Sequence, residues 1–145
     1  MATITKMEAW NQAQLNGSSV IDWDTDTIKV MLVDSTVTPL AATHDFIDDL
    51  DTNEVTGTNY TAGGATIASL AVTEASGIAT VDGADVTWSQ HASGFTDARF
   101  AVIYKDTGTP ATSLIVGFID FTSDKGNVNG DLTVQWNASG IFTQG

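Results

Sequence analysis

The sequence predicts a mainly β fold, an antiparallel β-sandwich of jelly-roll-like or immunoglobulin-like type, with one short helix near the N-terminus. Three observations lead there. Short stretches of alternating apolar and polar residues recur, with turn residues between them at intervals of about 8–12 positions. Only 16% of the residues are charged while 42% are hydrophobic, and the polar remainder is mostly Thr, Ser, Asn and Gly, a mixture that suits strands and turns better than long solvated helices. Helical spacing is confined to two short segments in the first third of the chain.

Thr5-Lys6-Met7-Glu8 matches a capping box, so a helix is predicted over residues 6–16, with Thr5 as its N-cap and Gly17 as its stop. Met7 and Trp10 share one face of it, which either packs on the sheet or docks on a partner. Residues 27–33 read as a strand with Ile28, Val30 and Leu32 on one side and Met31, Val33 and Lys29 on the other. Apolar residues on both sides predict a central strand, or one that meets another subunit. Pro39 interrupts; Phe46, Ile47 and Leu50 then suggest one or two helical turns within residues 43–50, and residues 51–64 are loop-like, punctuated by Gly57, Asn59, Gly63 and Gly64.

The second half reads as strand and turn. Strands are predicted over residues 67–73, 78–81 and 85–89, with Asp82-Gly83 as a hairpin turn between the last two. Residues 98–104 place Phe100, Val102 and Tyr104 on one face, and residues 114–121 are the most apolar run. Turns at residues 106–110 and 124–130 lead to a last long strand carrying Leu132, Val134 and Trp136, with Ile141-Phe142 as a short edge segment. There is no internal repeat, low-complexity tract or linker, so residues 1–145 are expected to form one domain.

Charge narrows the partners. Eighteen acidic residues, fifteen of them Asp, face five basic ones, for a formal net charge of −13. Such a field repels nucleic acid and anionic membranes, and neither is an expected partner. Without cysteine there are no disulfides or thiolate metal sites. Neither a secretion signal nor an apolar run of the ~20 residues that span a bilayer is evident, so the chain reads as soluble and made in a cytoplasm.

Motifs that could carry chemistry are thin. Asp106-Thr107-Gly108 has the letters of an aspartic-protease motif, which works only where two carboxylates share a proton; its setting here is a turn. Asp22, Asp24 and Asp26 alternate like calcium ligands, but Thr27 and Val33 stand where an EF-hand loop needs Gly and Glu. The cluster Asp48, Asp49, Asp51, Asn53 and Glu54 fails the same test, with Glu54 and Tyr60 in those places. His44 and His91 have no nucleophile tied to them by spacing. Catalysis and cofactors are therefore not expected. Trp88 and Trp136 alternate with apolar residues and belong in a core, whereas Trp23, set among aspartates, is the better candidate for an exposed or interfacial aromatic.

Residues 24–33, after a short helix ending near Asn16-Gly17, then Tyr60-Thr61-Ala62-Gly63-Gly64, Asp85-Val86-Thr87-Trp88, residues 98–108 and residues 129–136 together resemble a group of small tailed-phage virion proteins. The likeness is spread over nearly the whole chain, and its order is more specific than any one segment. The resemblance implies a non-enzymatic structural role, foremost a capsid decoration (cement) protein on the capsid exterior, made in the host cytoplasm. Its partner would be the major capsid protein, and it would form a small homo-oligomer, with a trimer favoured. The alternative is a tail or fibre module that binds host surface glycans. The residues expected to touch a partner are Met7 and Trp10 in the N-terminal segment, and Asp22, Trp23, Asp24 and Asp26 in the acidic loop.

Overall fold

A computed structural model describes residues 3–18 and 20–144. In chain order the elements are β1 (Thr5–Lys6), α1 (Glu8–Asn16), β2 (Ile28–Val33), β3 (Ala65–Thr66), β4 (Ala71–Ala75), β5 (Ile78–Asp82), β6 (Val86–Trp88), β7 (Ala98–Lys105), β8 (Ile115–Lys125), β9 (Leu132–Val134) and β10 (Phe142–Gln144). The fold is mainly β, with antiparallel sheets and one short helix near the N-terminus. Strand order, which alternation leaves open, is β1-β8-β7-β2-β3 in the large sheet, β10-β5-β4 in a second and β6-β9 in a third. Buried residues from all three sheets form one continuous core.

β2 is flanked by β7 and β3, and both of its faces are covered by the chain itself. Ile28, Val30, Met31, Leu32 and Val33 are all buried, so this strand is central and its apolar residues are core rather than subunit contact. β7, with Ala98 and residues 100–104 all buried, lies between β2 and β8 in the middle of the large sheet.

Several expectations need correction. Thr5 is not an N-cap. Its backbone pairs with Phe118 of β8, and the helix begins after Met7, whose N–H donates to Val116 O at 2.9 Å. The ladder claims Thr5, the residue that a capping box would use as N-cap. The helix does end at Gly17, in the left-handed region at φ 70°. The helical turns in residues 43–50 reduce to one 3-10 turn, Ile47–Asp49. Of the strand expected over residues 67–73 only residues 71–73 are strand, as the start of β4; residues 67–70, with Ser69 at φ 54°, separate it from β3. Asp82-Gly83 is not a hairpin turn. The hairpin is β4–β5, closed by Ser76 and Gly77, while Asp82 Oδ1 accepts the Gly83 N–H at 2.9 Å where the chain leaves β5 for β6, which pairs with β9.

Candidate functional site

Two places merit inspection: the acidic loop before β2 and a groove where β2 and the end of β7 meet the loop of residues 60–64. In the acidic loop the backbone turns back on itself, and the Asp26 N–H donates to Asp22 O at 2.7 Å. The carboxylates are committed to nearby donors. Asp22 Oδ1 accepts the Asp24 N–H at 3.1 Å, Asp26 Oδ2 accepts the Asp22 N–H at 2.8 Å, and Lys105 Nζ lies 2.7 Å from Asp26 Oδ2. Partial burial pushes the Asp26 carboxyl upward, but Lys105 and the Asp22 N–H outweigh it and hold the group below the usual carboxylate range. Asp24 reaches further and accepts the Val72 N–H of β4 at 3.2 Å.

Trp23 points the other way. It is 7% exposed and packs edge-on to Trp10, centroids 6.3 Å apart, and to Phe142 of β10 at 5.1 Å. Met7 and Trp10 are 0% and 1% exposed. These three residues therefore correct the expectation of a partner contact: they join α1, the acidic loop and β10 into a core cluster and present no face to solvent. Lys6 Nζ stands 5.1 Å from the Phe142 centroid at the rim of that cluster. Of the residues expected to touch a partner, Asp22 and Asp24 are exposed and Asp26 is half-buried. Trp88 and Trp136 are buried as expected, and Trp136 Nε1 donates to Ala84 O at 2.9 Å.

The groove has a volume of about 370 Å³ and is lined by Lys29, Met31, Ile47, Glu54, Tyr104 and Asp106, among others. Lys29 Nζ lies 2.6 Å from Asp106 Oδ2, and Asp106 Oδ1 accepts the Gly108 N–H at 2.9 Å. Lys29 and that N–H hold the Asp106 carboxyl below the usual range, which opposes the shared proton that an aspartic-protease pair requires. On the other wall Glu54 Oε1 accepts from both the Tyr60 hydroxyl at 2.7 Å and the Gly63 N–H at 2.6 Å. Tyr104 donates to Gly63 O at 2.7 Å. Burial pushes both tyrosine hydroxyls well above their ordinary pKa, so they stay protonated and act as donors. The groove fastens the loop of residues 60–64 to β2.

The histidines are similarly occupied. His44 Nδ1 accepts the Leu40 N–H at 3.1 Å and His91 Nδ1 accepts the Ser93 N–H at 3.0 Å. Among the described residues, no group of three or more His, Cys, Asp or Glu side chains is arranged to hold a metal ion, and no helix is long and apolar enough to cross a membrane.

One polar residue of structural weight was not foreseen. Asn127, fully buried, accepts the Phe95 N–H at 2.9 Å and donates to Ser89 O at 2.8 Å and Thr58 O at 3.2 Å. It ties three loops together. Its neighbours Gly126 and Val128 mark only a turn, so nothing local separates it from an exposed Asn. Comparison with protein-family models, curated proteins and solved structures finds no match.

Proposed function

We propose that this chain is a non-enzymatic structural component of a tailed-phage particle. In this reading it is a capsid decoration protein that binds the outside of the major capsid lattice as a small symmetric oligomer and stabilises it by burying surface between neighbouring capsomers. One observation carries the reading. The segments that resemble small virion proteins contain the paired core strands β2 and β7 and the paired strands β6 and β9, and where three of them meet, at the groove, Glu54, Tyr60 and Tyr104 are spent on fastening the loop of residues 60–64. The likeness is one of scaffold, as befits proteins that act through shape and surface rather than through a reactive constellation. The engagement of Asp106, His44 and His91 in local bonds supports it.

Quantitative mass spectrometry of purified particles tests the proposal by the copy number of this chain against the major capsid subunit. A ratio near one, or a simple fraction of it, is expected. A far lower ratio would move the protein to a tail or fibre, and absence from the particle would refute a virion role.

A further inference from the structure

Edge strands present unpaired N–H and C=O groups, and folded chains blunt them with short strands, charges, proline or bulges. Most edges of this fold are blunted by brevity: β1 and β3 have 2 residues each, and β6, β9 and β10 have 3 each. β4 is the exception. It has 5 residues, all exposed, with no proline and a single charge, Glu74. Its ladder to β5 runs in unbroken register into a tight turn in which Ser76 and Gly77 have φ 56° and 81°, the signs of a two-residue hairpin loop. Alternation along that ladder points the backbone groups of Ala71, Thr73 and Ala75 at β5 and those of Val72 and Glu74 outward. The Val72 N–H does leave the ladder, donating to Asp24.

The charge distribution indicates what covers this edge. A second copy of a chain with net charge −13 is repelled over most of the surface. Residues 55–81 carry one charged side chain, Glu74, in 27 positions, and β4 with its turn lies inside that stretch. Here two like-charged copies approach at lower Coulombic cost than across the Asp-rich turns, with Glu74 on the strand and Asp24 at the Val72 N–H as the acids that reach this edge. The edge also brings apolar surface, since Val72 is 41% and Ile78 49% exposed.

We infer that β4 pairs with β4 of a second copy of this chain, antiparallel, about a twofold axis through Thr73. In that register Val72 lies opposite Glu74 of the second copy and exchanges both backbone bonds with it, Ala71 lies opposite Ala75, and Thr73 meets Thr73, a favourable cross-strand pair. Centring on Glu74 would instead oppose two carboxylates. One five-residue strand pair is a small contact, so the association is weak and concentration-dependent. Asp24 competes for the Val72 N–H that the pair needs and restrains the association. The inference rests on the edge and the charge pattern, not on the virion reading.

Sedimentation velocity of the full chain over a concentration series tests it, with near-ultraviolet circular dichroism confirming that each variant is folded. The wild type is expected to shift from monomer to dimer with concentration. Thr73→Glu and Thr73→Lys each place like charges across the axis and are expected to remain monomeric, while an equimolar mixture of the two recovers a dimer. Asp24→Ala should lower the dissociation constant ~5- to 150-fold, the worth of one backbone hydrogen bond in each of the two copies. Asp34→Ala, which removes the same charge just beyond the opposite end of β2, should leave it nearly unchanged. A wild type monomeric up to ~1 mM overturns the inference. So does association that survives both Thr73 variants, a mixture that stays monomeric, or an Asp24→Ala effect no larger than that of Asp34→Ala.

Discussion

Replacing Asn127 with alanine removes a side chain that holds three loops at once. The amide oxygen accepts from the buried Phe95 N–H, and the amide nitrogen donates to the carbonyls of Ser89 and Thr58. The three losses are unequal. Ser89 O also receives the Asn59 amide at 3.2 Å, and Ser89 and Thr58 lie at the surface, where water can replace a donor. The Phe95 N–H is buried and has no such recourse; an orphaned buried donor costs about 1–3 kcal/mol. With the space left by the missing side chain, the total is about 3 kcal/mol, a large share of the roughly 5–15 kcal/mol that holds a domain together. Urea unfolding followed by circular dichroism measures it, with the exposed Asn129→Ala expected within about 0.5 kcal/mol of wild type. A loss below about 1 kcal/mol for Asn127→Ala would refute the reasoning. A second route to the same contact is Gly94→Ala, whose new Cβ would stand 1.9 Å from Asn127 Oδ1. That clash is expected to cost about 2 kcal/mol or more in the wild type and clearly less when Asn127 is already alanine. Additive costs would mean that the two residues do not constrain each other.

Two further predictions concern the core and the ion pairs. Trp23→Ala is expected to destabilise the fold by about 3–5 kcal/mol in a thermal melt, because Trp10 and Phe142 lose their edge-on partner; a change within about 0.5 kcal/mol would return Trp23 to the surface. Asp106 and Asp120 are held below the ordinary carboxylate value of 3.8 by Lys29 and Arg99, and Asp26 by Lys105 against the upward push of its burial. Because these folded-state values lie below the unfolded ones, their stabilisation is full above the unfolded pKa and is lost as pH falls through 3.8 and below. Protonation also relieves the repulsion of the other acids, so Asp106→Asn should flatten the fall rather than abolish it. Urea midpoints between about pH 6 and pH 2 that rise steadily on acidification would contradict the assignment.

The parts of the fold that were legible are those where a side-chain pattern admits one solution. Residues 27–33 and 98–104 are apolar on both faces, and a short strand of that kind is stable only inside a sheet, so β2 and β7 lie where the sequence places them. Turns were less legible because different turns share a composition. Asp82-Gly83 has the letters of a hairpin yet serves a crossing between sheets, while Ser76-Gly77 closes the real hairpin without the usual Asn or Asp. Thr5-Lys6-Met7-Glu8 satisfies a local helix rule that a long-range pairing with β8 overrides. At the candidate site, the chemistry of Met7, Trp10 and Trp23 was readable but their direction was not. The aspartates beside Trp23 made it look solvent-facing, whereas Asp22 and Asp24 turn outward and send the indole between them inward.

The acidity itself takes on a different meaning once the hydrogen bonds are in view. Ten of the fifteen aspartates, residues 22, 24, 26, 34, 49, 82, 85, 106, 120 and 131, accept a backbone N–H through the side chain. A fold built from short strands has many turns, each turn has backbone donors outside any ladder, and Asp is well shaped to satisfy them. Much of the charge of −13 therefore accompanies turn formation and does not by itself demand a basic partner. The distinction is measurable at Asp34, Asp82 and Asp131, which accept from Thr36, Gly83 and Gln90 at 2.8, 2.9 and 2.7 Å. Asn keeps the accepting oxygen and drops the charge; Ala drops both. If the carboxylates are there to satisfy donors, each Asp→Asn change should leave stability within about 0.5 kcal/mol of wild type, while each Asp→Ala change loses about 1 kcal/mol. If the chain decorates a capsid as proposed, the triple Asn variant, with a net charge of −10, should then attach to the particle as the wild type does, with little change in salt dependence. Asn variants that unfold as readily as the Ala ones would make the charge, not the oxygen, the selected feature. Attachment that weakens with the lost charge would restore the acidic surface as a recognition element.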